Sequence, residues 1–131
     1  MEVGQHVQSR HLVNASMVRR FADVSGDHNP LHLDPGFAAK TRFGRPIAHG
    51  ALIMSLVSAL LGERLPGPGA IYLSQTASFK APVYVGDTVD VAVRVVKIRA
   101  NNIITLQHEA KVDDRLVLDG ESVILFEPIG G

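Results

Sequence analysis

Apolar and polar positions follow two rhythms along this chain, helical in the first half and strand-like in the second. Residues 3–13 are short and mixed and read as one strand. Asn14 or Ser16 stands where a helix cap belongs, and Met17, Phe21 and Val24 then recur at helical spacing. Gly26 sits at the expected stop. Residues 25–35 hold two prolines, Pro30 and Pro35, which argue against a regular helix and for an ordered loop; one short helical turn is expected over residues 37–41. Residues 50–62 read as a second helix. Leu52, Ile53, Met54, Leu56, Val57, Leu60 and Leu61 surround it, the pattern of a helix buried on every side. Ala51, Ser55, Ser58, Ala59 and Gly62 add a stripe of small residues that permits close approach of a neighbour.

Beyond this helix the period falls to two. Ile71, Leu73, Ala77 and Phe79 share one strand face; Val89, Val91, Val93 and Val95 share another, with a slip of phase at Val96 that predicts a bulge. Ile104, Leu106, Ala110 and Val112 repeat the pattern, and residues 116–126 form the last strand, with a bend expected at Gly120. Gly86-Asp87, Asn101-Asn102 and Asp113-Asp114 supply the turns. The expected architecture is α+β: an antiparallel sheet of about five strands curled round one long helix. A helix apolar on all sides in so short a chain asks for a second subunit to cover it, which predicts a homodimer.

The length of 131 residues fits one domain of roughly 100–200 residues, so residues 1–131 are expected to form a single unit. Thirteen basic residues balance thirteen acidic ones, and aromatics make up 5% of the chain. That argues against a broad nucleic-acid surface, which needs a basic footprint and stacking rings. Lys40, Arg42 and Arg45 cluster without acidic neighbours, and Lys80, Arg94, Lys97 and Arg99 are further cations. They read first as a solvated face and second as contacts for a phosphate-bearing ligand. With no cysteine there is no thiolate nucleophile, thiolate zinc site or iron–sulfur cluster. The longest run free of Asp, Glu, Lys and Arg, residues 46–62, has 17 positions and falls short of the ~20 that span a bilayer. No signal peptide is legible in residues 1–8, so a soluble, cytoplasmic protein is expected.

Acid–base chemistry concentrates in Asp27-x-Asn29-Pro30-x-His32. A carboxylate and an imidazole in a proline-fixed loop can converge on one water and move its proton. The plainer alternative is a turn in which Asp27 and Asn29 bond to backbone and His32 packs. His28 and His32 have a metal-like spacing, but only on a regular helix, which Pro30 disfavours; no metal is expected. Arg45-Pro46-Ile47-Ala48-His49-Gly50 leads into the apolar helix. Gly50 there would let a ligand oxygen reach free backbone N–H groups at the positive end of the helix dipole. Ser58 lies two turns on and is expected to be buried and bonded to its own helix. His6, His11 and His108 have no companions in the sequence.

Residues 21–32 followed by residues 45–50, in this order and at this separation, resemble the MaoC-like hydratases, and most closely the (R)-specific enoyl-CoA hydratases that feed polyhydroxyalkanoate synthesis. The likeness extends through Leu60-Leu61-Gly62, Leu65-Pro66-Gly67, Ile71-Tyr72-Leu73 and residues 78–83. It implies a hot-dog fold, a homodimer with active sites near the subunit interface, and reversible addition of water to a trans-2-enoyl-CoA. On the same resemblance Asp27 and His32 are the catalytic pair, the Gly50 N–H binds the thioester oxygen, and Asn29 and Ser58 support the site. Leu61 would help to limit the acyl pocket. The substrate is a CoA thioester, and no metal or redox cofactor is implied. Three other activities share the fold: dehydration of a carrier-protein-bound 3-hydroxyacyl chain, acyl-CoA thioester hydrolysis, and acyl-CoA binding without catalysis.

Overall fold

In the computed structural model, which describes residues 1–127, the change of rhythm becomes a helical layer laid against one antiparallel sheet. The last four residues of the expected 1–131 unit lie outside the described residues. Strand β1 (His6–Leu12) leads into helix α1 (Ala15–Ser25). Asn14 is the cap: its side-chain oxygen accepts from the Met17 N–H at 2.9 Å, satisfying a donor that every helix start leaves free. Gly26 closes α1 in the left-handed conformation, φ 81°, and returns its N–H to the Ala22 carbonyl. Met17 and Phe21 pack on the core as expected, but Val24 does not; it is 83% exposed. The residues α1 buries are Val18 and Ala22, and Val24 lies about 200° round the helix from Ala22.

The two prolines start short helices rather than exclude them. In α2 (Pro30–Leu33) and α3 (Pro35–Ala38) proline occupies the first turn, where its missing N–H has no intrahelical partner to lose. Asn29 and Asp34 cap these turns, so the turn expected from Phe37 begins at Pro35. Helix α4 (Gly50–Glu63) matches its expected span to within one residue. Leu52, Ile53, Met54, Val57, Leu60 and Leu61 pack into the core against the sheet. The helix is not buried on every side, however: Ala51, Ser55, Ser58, Ala59 and Gly62 are exposed, so the small-residue stripe is the uncovered face.

The sheet is completed by β2 (Ala70–Gln75), β3 (Ser78–Phe79), β4 (Thr88–Ile98), β5 (Ile103–Val112) and β6 (Arg115–Phe126). Its order is β1-β4-β5-β6-β2, with β3 also paired to β6, six strands rather than five. Val89, Val91, Val93 and Val95 are buried, and the slip at Val96 is a bulge between Val95 and Lys97 in the pairing with β5. Residues 71–79 form two strands instead of one, interrupted at Thr76 and Ala77, and within β2 the register with β6 shifts between Tyr72 and Ser74. β2 lies at the sheet edge with Ile71, Tyr72 and Leu73 exposed. β6 runs through Gly120 without a break; a Cβ there would collide with the Thr76 carbonyl oxygen, so close approach, not a bend, requires glycine.

Candidate active site

Three segments meet beside the start of α4: the loop after α1, helix α2, and the residue that precedes Gly50. The Asp27 carboxylate accepts the Asn29 N–H at 3.1 Å through one oxygen. The Asn29 side-chain oxygen accepts the Leu31 N–H at 3.0 Å, so Asn29 is both the brace behind Asp27 and the cap of α2. The turn favoured by the plainer alternative therefore exists, yet it holds Asp27 without consuming it. Among the described residues the second carboxylate oxygen has no protein donor. His32, half-buried on α2, directs Nδ1 at the Ile47 carbonyl oxygen, 2.7 Å away. A carbonyl only accepts, so Nδ1 carries the proton and Nε2 presents a lone pair.

His49 joins this pair. One side-chain atom each from Asp27, His32 and His49 lie within 4.8 Å of one another. The set has the donors of a metal site but not the geometry. The two imidazole rings stack at 3.9 Å between centroids with 30° between planes. Ligand nitrogens bind in the plane of their ring, and planes so nearly parallel meet too far away for both to reach one ion at about 2.1 Å. His28, the other half of the suspected metal spacing, turns away; its Nε2 faces the Asp23 carboxylate at 3.1 Å.

At the head of α4 the Leu52 and Ile53 N–H groups both reach the His49 carbonyl, at 3.1 and 3.4 Å. Among the described residues the Gly50 and Ala51 N–H groups have no acceptor, and both residues line a cavity of about 960 Å³. Ile47 lines it too, and stands between that space and His32, whose proton its carbonyl holds. Asp27 and His32 themselves are not part of the lining. Ser58 is exposed on the cavity wall rather than buried, and it is Ser55 that bonds back to the helix, to the Leu52 carbonyl at 2.6 Å. Leu61 is 1% exposed, lies in the core and does not line the cavity, so the expected pocket role is not seen at that position. Of the basic residues, Arg42 and Lys80 reach the cavity, while Arg45 lies over the Tyr84 ring at 4.0 Å.

The family described as "MaoC like domain" matches residues 2–115. This chain belongs to the MaoC-like family. It is 46% identical over 125 residues to the 3-hydroxybutyryl-CoA dehydratase of Methylorubrum extorquens, covering 95% of this chain and 80% of that protein. It is 54% identical over 99 residues to the (R)-specific enoyl-CoA hydratase of Aeromonas caviae, covering 76% of this chain and 74% of that protein. Its fold superposes on the solved structure of the (R)-hydratase from A. caviae involved in PHA biosynthesis with a TM-score of 0.94 and 47% identity, covering 97% and 98% of the two chains. The antiparallel sheet and helix are thus the hot-dog fold of MaoC-like hydratases.

Two features of this MaoC-like site were not legible as chemistry in the sequence. In the sequence His49 is only part of a helix entry. Tyr72, His108 and Ser122 form a hydrogen-bonded chain that runs inward from the edge strand to two buried side chains: the Ser122 hydroxyl lies 2.9 Å from the Tyr72 hydroxyl and 2.7 Å from His108 Nδ1. Tyr72 lines the cavity, and desolvation raises its phenol above the ordinary 10.0. Burial pushes the His108 imidazole below its ordinary 6.5, opposed in part by the Thr76 carbonyl, Asp119 and Glu121. Among the described residues His108 Nε2 has no hydrogen bond of good geometry, so burial prevails. The partners stand 14 and 50 residues apart, and only strand pairing brings them together.

Proposed function

We infer that this protein is an (R)-specific enoyl-CoA hydratase, adding water reversibly to trans-2-enoyl-CoA to give (R)-3-hydroxyacyl-CoA. The observation that carries the inference is the fixed tautomer of His32. With its Nδ1 proton held by Ile47, Nε2 is free to accept, next to a braced carboxylate with an open oxygen. Asp27 and His32 hold one water between them. One of the pair takes its proton as the oxygen bonds to C3, and electron density moves from the double bond into the thioester oxygen. The Gly50 N–H and the dipole of α4 stabilise that oxygen. The pair then returns a proton to C2 on the same face. Every atom of the water is accounted for, and the step asks for no metal or redox cofactor. Positioned acid–base groups contribute about 100- to 10,000-fold to such a step.

A homodimer belongs to the same reading. In one chain the small-residue face of α4 is bare, β2 offers a free edge, and Ile71, Leu73 and Phe79 are 44%, 49% and 58% exposed beside an open cavity. A second copy would cover these surfaces and close the site. No described helix is long and apolar enough to cross a membrane. We set the enzyme in the cytoplasm, where CoA thioesters are made and consumed. The direct test mixes the protein with crotonyl-CoA and follows loss of the conjugated thioester absorbance. Loss of that absorbance with an equal release of free CoA thiol would point to thioester hydrolysis and overturn the reading.

A further inference from the structure

We propose that His49 is a positioning residue of this reaction: its ring fixes where Asp27 and His32 stand relative to one another. The inference rests on the hydratase reading and goes beyond it. His49 occupies the cap position of α4, yet its side chain makes no capping bond. It is 2% exposed and turns inward, placing Nε2 3.0 Å from the backbone carbonyl of Asp27, 22 residues earlier in the chain. A carbonyl only accepts, so Nε2 carries the proton and Nδ1 is left with a lone pair. Among the described residues that lone pair is buried without a partner. Buried polar atoms are nearly always paired, and an apolar ring would fill the space without leaving an orphan. What an apolar ring cannot supply is the N–H that holds Asp27.

The same ring stacks on His32 at 3.9 Å, and Phe21 packs against it at 5.0 Å. One side chain therefore touches the backbone of one member of the pair and the imidazole of the other. Asp27 sits in an exposed loop, and its own remaining hydrogen bonds are short-range ones, to Ser25 and Asn29. The His49 bond is what fastens that loop to the head of α4, where the free N–H groups lie. His49 thus aligns base, water site and oxyanion site, without touching the reacting atoms.

Two variants separate the roles. His49→Phe keeps a ring and loses the donor; His49→Gln keeps an N–H donor of similar reach and loses the ring. Misplacing catalytic groups by about 1 Å typically costs about 100-fold. Assayed on crotonyl-CoA, His49→Phe is expected to lose about 100-fold in kcat with KM within threefold. His49→Gln is expected to recover at least tenfold of that loss. A His49→Phe enzyme with kcat within threefold of wild type overturns the proposal, and so does a folded His49→Gln enzyme as impaired as His49→Phe. A measurement on the wild-type protein decides the matter even if a variant fails to fold. Histidine-selective ¹⁵N NMR should show His49 as the Nε2–H tautomer and His32 as the Nδ1–H tautomer, and the Nδ1–H form of His49 would overturn the proposal. If wild type does not hydrate crotonyl-CoA, the hydratase reading fails by itself, and the tautomers still report whether His49 holds Asp27.

Discussion

Replacing Gly50 by alanine separates two reasons for a glycine at the head of α4, packing and access. A Cβ on Gly50 would stand 2.7 Å from Cε1 of Phe79 and 3.0 and 3.1 Å from Cδ1 and Cζ. Ordinary carbon contacts lie at about 3.5–4.0 Å, so the ring must retreat by roughly 1 Å. Phe79 is 58% exposed and has room to do so. Alanine in place of glycine also favours the helix by up to about 1 kcal/mol. The two effects oppose each other, and the net change in stability should stay within about 1 kcal/mol, a few degrees in Tm for a domain of this size. Catalysis should respond differently. The new methyl group would sit on the cavity wall beside the unpaired Gly50 and Ala51 N–H groups. Pushing the thioester oxygen about 1 Å from its donors should cost about 100-fold in kcat/KM, near 2.7 kcal/mol. Steady-state kinetics on crotonyl-CoA beside a thermal melt reads both quantities. A Gly50→Ala enzyme with kcat/KM within threefold of wild type would refute the access argument. A fall in Tm of more than ten degrees would show that Gly50 is there for packing.

Asp27→Asn and His32→Gln should each lower kcat by about 100- to 10,000-fold while the far-ultraviolet spectrum stays unchanged, and near-normal turnover in either would remove that residue from the chemistry. Arg42→Ala and Lys80→Ala should each raise KM for crotonyl-CoA about two- to fivefold, the scale of an exposed charge contact, and leave KM for crotonyl-pantetheine unaltered. His108 is held below 6.5 by burial, so the unfolded chain binds its proton first as the pH falls. The associated stability should be full above about pH 6.5 and decline below it; melts from pH 7 to pH 5 should show a shallower decline in His108→Gln than in wild type. Sedimentation at micromolar concentration should give twice the chain mass, and a monomer would contradict the homodimer.

Local signals in the sequence carried most of the fold because their physics is local. Asn14 and Gly26 bound α1 through bonds three and four residues long. The phase slip at Val96 marks the bulge because alternation is a property of neighbouring residues. Val24 on the solvent side of α1 and Leu61 in the core are a different case: which side of a helix meets the core, and which meets a cavity, depends on partners that arrive later in the chain. The exposed small-residue face of α4 is the same case. Pro30 and Pro35 look like breakers in isolation, but a proline in a first helical turn is a start signal when Asn29 and Asp34 cap it. In the candidate site, Asp27, Asn29, His32 and Gly50 lie in two short motifs, and their residue types announce acid–base and oxyanion chemistry. His49 lay in plain view beside Gly50, but its purpose appears only when its ring meets Asp27 and His32 across the chain.

The central claim is that a carboxylate and a tautomer-fixed imidazole deliver water to one face of an enoyl thioester. The most direct test is the chirality of the 3-hydroxybutyryl-CoA formed from crotonyl-CoA. The account expects the (R) product, formed at a rate that Asp27→Asn abolishes. An (S) product, or no hydration at all, would contradict it.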